Sequence, residues 1–230
     1  MKITLYLIIF ALMLMFAGHS QAITRFYLPA SGAAEVSPSF NSSWNKTSDA
    51  DRIRCVTTKI NTTMASKTSS ENVSTNPYDF LTRQYVSDPV AGQTISGTVK
   101  AQIRAQESNN AANFNRAIVI YVVSNDGATV RGTLLSILGG GSEYSNSALT
   151  NRNFPASTAL SSVTAQNGDR IVIEIGTDST NTSTTNRTAT HSFGDDSSTD
   201  LPEDETTKSA DNPWVEFSGD IIFPRSTLIK

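Results

Sequence analysis

Alternation with a period of two constrains this chain more than any other feature. Val99, Ala101, Ile103 and Ala105 alternate with Lys100, Gln102, Arg104 and Gln106, and Ile171, Ile173 and Ile175 alternate with Arg170, Val172 and Glu174. Successive side chains of a strand point to opposite faces, so these runs predict antiparallel strands with one dry face and one wet face. Ala117–Val123 is apolar at both parities, and its length and β-branched content predict a central strand covered on both sides. Arg25–Leu28, Ile53–Lys59, Leu81–Val86, Thr129–Leu138, Leu160–Ala165, Arg187–Phe193 and Val215–Phe223 are further strand candidates. Asn125-Asp126-Gly127 and Asn167-Gly168-Asp169 punctuate them as turns, because Gly accepts positive φ.

Helical signal is thin. Beyond the leader no stretch holds apolar residues at i, i+3, i+4 and i+7 over three turns, and only Asp49–Arg54 and Met64–Ser70 read as short helical turns. About ten short strands with regular punctuation predict an all-β antiparallel sandwich, with a jelly roll as the first choice. The alternative, an immunoglobulin-like sandwich, lacks its Cys…Trp…Cys spacing here.

The first 22 residues read as a signal peptide. Lys2 supplies the positive start, Ile3–Ala17 the apolar run, and Ser20 and Ala22 the small-residue pair before the cut. The run is shorter than the ~20 residues that cross a bilayer core, which disfavours the rival reading of a retained anchor. Residues 23–230 are then expected to form one β-sandwich domain, secreted or on the cell surface, with polar loops over 177–190 and 195–211. Net charge is −3, which gives no basis for gripping nucleic acid or an anionic membrane. Cys55 is the only cysteine, so no internal disulfide can form, and its strand-like setting reads as a small buried hydrophobe. Six Asn-x-Ser/Thr sequons, at Asn41, Asn45, Asn61, Asn72, Asn181 and Asn186, are what a chain rich in Asn, Ser and Thr produces by chance, and they mark surface loops.

Chemistry-bearing residues are few. His191 is the only histidine beyond the leader, and no Gly-x-Ser-x-Gly elbow accompanies it, so a nucleophile–base site is poorly supplied. Glycoside hydrolysis needs only two carboxyl groups, for which Glu107, Glu143, Glu174, Glu216, Asp195 and Asp196 are candidates of low specificity. The acidic stretch groups Asp195, Asp196, Asp200, Glu203, Asp204 and Glu205, oxygen ligands of the kind calcium takes, though without the EF-hand glycine; a solvated acidic loop is the plainer reading. Trp44, Trp214 and Tyr144 are candidates for stacking on a sugar ring. If Val215 and Phe217 face the core, Trp214 and Glu216 face outward.

Four blocks carry a resemblance: Arg83–Pro89, Val123–Gly127, Asn167–Gly176 and Asn212–Phe217. Together they resemble a group of uncharacterised proteins recurring in environmental bacterial and phage-derived sequences, over most of Phe26–Phe223. The resemblance implies a jelly-roll sandwich and no activity. Phage relatives imply a virion component, from which the signal peptide departs. The expectation that emerges is a non-enzymatic extracellular module that binds a glycan or a surface partner. Its rivals are a self-associating subunit of a surface layer, filament or virion, and a glycosidase. No cofactor is expected except calcium at the acidic loop.

Overall fold

The computed structural model describes residues 23–73, 77–180 and 184–224. The signal peptide reading, the Asn181 sequon and the last six residues lie outside that set. No α-helix occurs among the described residues.

Among the described residues fourteen strands follow one another: β1 (Thr24–Tyr27), β2 (Asp51–Arg54), β3 (Ala65–Glu71), β4 (Tyr78–Val86), β5 (Gln93–Ile95), β6 (Thr98–Glu107), β7 (Phe114–Val123), β8 (Val130–Leu138), β9 (Thr150–Asn153), β10 (Thr158–Ala159), β11 (Val163–Ala165), β12 (Arg170–Ser179), β13 (Arg187–Phe193) and β14 (Trp214–Phe217). The first sheet links β1, β14, β6, β13 and β3. Its hub is β6, whose Val99–Gln102 pairs with β14 and whose Arg104–Glu107 pairs with β13, and β9 and β10 also pair with it. The second runs β2-β4-β12-β7-β8, antiparallel except where β2 lies beside β4. A short β5–β11 ribbon completes the set.

The two large sheets face each other, as the alternation predicts. Val99, Ala101, Ile103 and Ala105 of β6, Val215 and Phe217 of β14, and Ala189 and Phe193 of β13 meet Ile118, Ile120 and Val122 of β7 and Ile171, Ile173 and Ile175 of β12 in one core. Burying these side chains is the main favourable contribution, roughly 1.5–3 kcal/mol for each Val, Ile or Phe. The hairpin at Asn125-Asp126-Gly127 forms as its residues dictate: Gly127 takes φ +77° and its amide donates to Ser124 O at 2.8 Å.

The wet faces are not wet. Ala117, Val119, Tyr121 and Val123 of β7 and Val172 of β12 form a second apolar layer on the outer side of their sheet, under Phe40, Trp44 and Ala50. On the outer side of the other sheet, Gln102 and Arg104 are fully buried. Each sheet is therefore roofed by a non-repetitive segment, residues 34–50 on one side and the acidic stretch on the other.

Three local expectations are corrected. Asp49–Arg54 and Met64–Ser70 are not helical turns but contain β2 and β3. The polar run 177–190 is strand at both ends: β12 continues to Ser179 because Thr177 and Ser179 turn into the interior, and β13 begins at Arg187. A β-bulge in β4 opposite Ile175/Gly176 sets Thr82 as the extra residue, so that Leu81 faces Gly176 and Arg83 faces Ile175.

The bulge feeds a buried polar chain. Ser69 Oγ lies 3.2 Å from Thr82 Oγ1, Thr82 Oγ1 lies 3.0 Å from His191 Nδ1, and His191 Nε2 lies 3.0 Å from the Tyr144 hydroxyl. The Tyr144 and Phe154 rings stand edge-on to the imidazole. Burial, with the Arg83 charge adding to it, pulls His191 down to about 3, so the imidazole is neutral at ordinary pH. The unfolded chain takes up this proton near 6.5 and the folded chain only near 3. Stability attributable to His191 is thus intact above pH 6.5 and falls as pH drops through that window, by about 1.4 kcal/mol per unit. Denaturant midpoints measured from pH 7 to pH 4 are expected to show this slope as a difference between wild type and His191→Gln. Parallel curves would refute it.

Candidate functional site

One end of the sandwich collects ionisable groups at strand termini. It is formed by the ends of β3, β6 and β12 and the starts of β4, β7 and β13. Antiparallel pairing fixes the arrangement: Ser179 lies opposite Tyr78 and Phe114, Asp178 opposite Asp79 and Asn115, Arg187 opposite Glu71, and Ala189 opposite Glu107.

Parity then sorts the side chains. Glu71, Glu107 and Ser179 are buried at this end, and Glu71 Oε1 accepts from Ser179 Oγ at 3.1 Å, tying the two sheets together. Asp79 and Asp178 lie on the outer side of the second sheet, since their register neighbours Leu81 and Gly176 do. Glu107 Oε2 accepts from the Phe114 amide at 3.1 Å, while its Oε1 is buried with no donor. Burial and the neighbouring Glu143 carboxyl push Glu107 up to about 7, against the Phe114 amide and the Arg187 guanidinium, which favour the ion. Burial and then Asp178 push Asp79 up to about 6. Burial likewise raises Asp178, opposed by the Gly140 amide. Titratable groups displaced in this way cluster where sites are built, although structural networks also displace them.

Beside these pairs lies a polar groove of about 570 Å³ lined by Lys46, Ser70, Glu71, Asn72, Tyr78 and Asn186. Lys46 Nζ is held by Asp49 Oδ2 at 2.7 Å and by the Ser70 carbonyl, and Asp49 Oδ2 also accepts from the Ser70 amide at 3.0 Å. Asn72 and Asn186 are exposed, and Tyr78 is half-buried with its ring against the core. Two amide side chains, a phenol, a hydroxyl and an ammonium make a surface that can exchange hydrogen bonds with a hydroxyl-rich ligand.

The residues singled out from the sequence lie elsewhere. Trp44, Trp214 and Tyr144 are only 6, 1 and 2% exposed, so none offers a ring face to a sugar. Trp44 packs on the second sheet and its indole N–H donates to Glu174 Oε2 at 2.6 Å. Trp214 does face away from the core, as the parity of β14 requires, yet the acidic stretch covers it: its indole N–H donates to Leu201 O at 2.8 Å and the Arg25 guanidinium lies 4.0 Å over the ring. Tyr144 is committed to His191.

The acidic stretch is spread over cations rather than gathered around a cavity. Asp200 pairs with Arg25 at 2.6 Å and Lys59 at 2.6 Å, Glu203 with Lys100, Asp195 with the buried Arg104 at 3.7 Å, and Asp204 with Lys208 at 3.9 Å. Asp196 is exposed. Among the described residues no three His, Cys, Asp or Glu side chains converge as a metal-ion group. The stretch is an ion-paired roof over the first sheet. Cys55 is buried as expected, and burial raises its thiol far above the usual range.

Of the six candidate carboxylates, Glu107 and Glu143 come together. Glu174 is a structural acceptor under Trp44, and Glu216 binds Arg25 at 2.5 Å and Lys100 at 3.2 Å. Glu71, Asp79, Asp178 and the groove escaped notice because they sit in segments that read as polar loop. The signal available was Thr177 and Ser179, which continue the parity of Ile171–Ile175.

No family model matches this chain, and no curated protein does. Its fold is similar to part of an aminopeptidase from the marine sediment archaeon Thaumarchaeota archaeon, with TM-score 0.53 and 9% identity, covering 88% of this chain and 37% of that one. A CocE/NonD family hydrolase from Staphylococcus aureus is also similar, at TM-score 0.48 and 9% identity over 90% of this chain and 37% of that one. The chain spans little more than a third of these enzymes, and at such identities the likeness concerns the fold alone.

Proposed function

We propose that this chain is a secreted or cell-surface β-sandwich that binds a glycan without transforming it, in the groove lined by Lys46, Ser70, Glu71, Asn72, Tyr78 and Asn186. The groove itself carries the proposal. It is a concave polar surface between strand ends of both sheets, backed by a rigid double layer and set with exposed amides. The fold occurs in the aminopeptidase as a minor share of a longer chain, which suits a module that presents a ligand rather than one that houses the whole chemistry.

A glycan array probed with the full chain is expected to return specific hits. Asn72→Ala with Asn186→Ala should weaken them roughly tenfold, from about 0.5–1.5 kcal/mol per lost hydrogen bond, with an unchanged melting temperature. An array without hits from folded protein, or hits indifferent to the double variant, would overturn the assignment. Trp214→Ala is not a test of binding here, because that residue is part of the packing.

A second reading, hydrolysis by paired carboxylates, draws on the Glu107–Glu143 contact and on the hydrolases that share the fold. Against it, Glu107 is buried and its Oε2 is taken by the Phe114 amide, which leaves it poorly placed to reach a substrate. Sugar release from a polysaccharide panel, lost in Glu143→Gln, would establish it.

A further inference from the structure

The end of the sandwich opposite the polar groove differs from it in kind. β2 and β4 finish there, with Arg54 beside Val86, and β6, β8 and β12 begin there, since Val99 pairs with Phe217 and both Val130 and Arg170 lie opposite Val123. Among the described residues the exposed large hydrophobic side chains are Ile23, Ile60, Val130 and Ile222, between 46 and 58% exposed, and all four lie at this end. Scattered apolar side chains are ordinary on a protein surface, but these are gathered. Half-buried Phe223 links them: it lines one shallow groove with Ile23 and a second, of about 470 Å³, with Pro89. Thr57 lines both, and a third beside Ile60. Ile222 is held out rigidly, because its carbonyl accepts from the Ala91 amide at 2.8 Å and its amide donates to Gln93 Oε1 at 3.0 Å.

The cations around this surface are spent on neighbours. Arg54 binds Asp88 through two bonds of 2.5 and 2.6 Å, Lys59 binds Asp200 at 2.6 Å, Arg131 binds Asp169 at 3.1 Å and Arg170 binds Glu35 at 2.8 Å. Asp126 and Asp220 are exposed there as well. The end is therefore apolar at its centre and neutral to acidic at its rim, which does not attract an anionic surface.

We propose that this end of the sandwich rests on a zwitterionic lipid bilayer, with Ile23, Ile60, Ile222 and Phe223 set into the bilayer interface and the polar groove facing away from it. Three observations favour lipid. A few half-exposed side chains fall short of the ~800 Å² per partner that a stable protein interface buries, whereas a bilayer interface takes up apolar side chains one by one and needs no matching surface. The rim charges are paired, so phosphate headgroups gain little from them. The described chain also enters and leaves the fold at this end, at Ile23 and Pro224. The apolar run Ile3–Ala17 of the leader is only five residues from Ile23, about 20 Å of extended chain, so export brings this end to the bilayer first. β6 spans ten residues between the two ends, roughly 33 Å at ~3.3 Å per residue, and holds the groove clear of the headgroups. The lipid contact does not depend on what the groove binds.

Flotation of the full chain with phosphatidylcholine vesicles tests this. Binding is expected, insensitive to salt, with amide hydrogen exchange slowed at 57–60 and 221–223 and unchanged at Glu71, Asn72 and Asn186. Ile60→Ser with Ile222→Ser, both in exposed side chains, should weaken binding at least tenfold at an unchanged melting temperature. The double variant leaves the leader intact, so binding that survives it is held by the leader alone and overturns the proposal. No binding by the wild type would overturn it, as would binding that needs phosphatidylglycerol and is lost in salt. A concentration-dependent dimer that the double variant abolishes, without vesicle binding, would give this end to a second copy of the chain instead. Should the double variant fail to fold, the exchange pattern of the wild type on vesicles decides, and slowing confined to residues outside 57–60 and 221–223 would be equally fatal.

Discussion

Glu174→Ala is expected to unfold the chain or bring it close to unfolding. The Glu174 carboxylate is fully buried and accepts from four donors: the Trp44 indole at 2.6 Å, Gln84 Nε2 at 2.9 Å, the Tyr121 hydroxyl at 2.9 Å and the Asn41 amide at 3.1 Å. Those donors come from β4, β7 and the segment that roofs the second sheet, so one carboxylate pins the roof to two strands. Removing it strands the donors in an apolar layer, at a cost of about 3–5 kcal/mol. For a domain of this size that is on the order of 6–20 °C in melting temperature. Glu174→Gln keeps one acceptor oxygen and should lose less than half as much. Thermal unfolding of the two variants separates the cases. An alanine variant as stable as wild type would mean that Glu174 does not hold the roof.

Trp214→Ala is expected to cost about as much, by the opposite kind of interaction. The ring is fully buried between the first sheet and the acidic stretch, with Arg25 and Lys100 over its face and Leu201 O on its indole N–H. Truncation opens a cavity beneath a roof otherwise held mainly by ion pairs. Large-to-small changes of this kind cost about 3–5 kcal/mol, whereas partly exposed pairs such as Arg25–Asp200 are worth about 1 kcal/mol or less. Trp214→Phe should recover more than half of the loss, and high salt should change the difference little. Strong salt dependence would show that the charges, rather than the ring, carry the roof.

The parity of β6, β7, β12 and β14 was legible residue by residue. The Asp126-Gly127 turn was legible from its glycine, and the covered status of β7 from its two apolar faces. The candidate site was barely legible. Lys46, Glu71, Tyr78 and Asn186 come from segments far apart in sequence, and each looks like an ordinary polar residue of a loop. Nothing local distinguishes Glu107, which meets another carboxyl, from Glu216, which meets two cations.

The sequence by itself determined the two facing layers, because alternation is a local property: the side-chain direction of each strand residue follows from its neighbours along the chain. Only the tertiary structure decided what lies on the outer faces. Whether Trp44, Trp214 or Arg104 meets water depends on where residues 34–50 and 195–211 fold back. Those segments have no period to read, and their positions rest on contacts such as Trp44–Glu174 and Arg25–Asp200, whose partners are separated by more than a hundred residues.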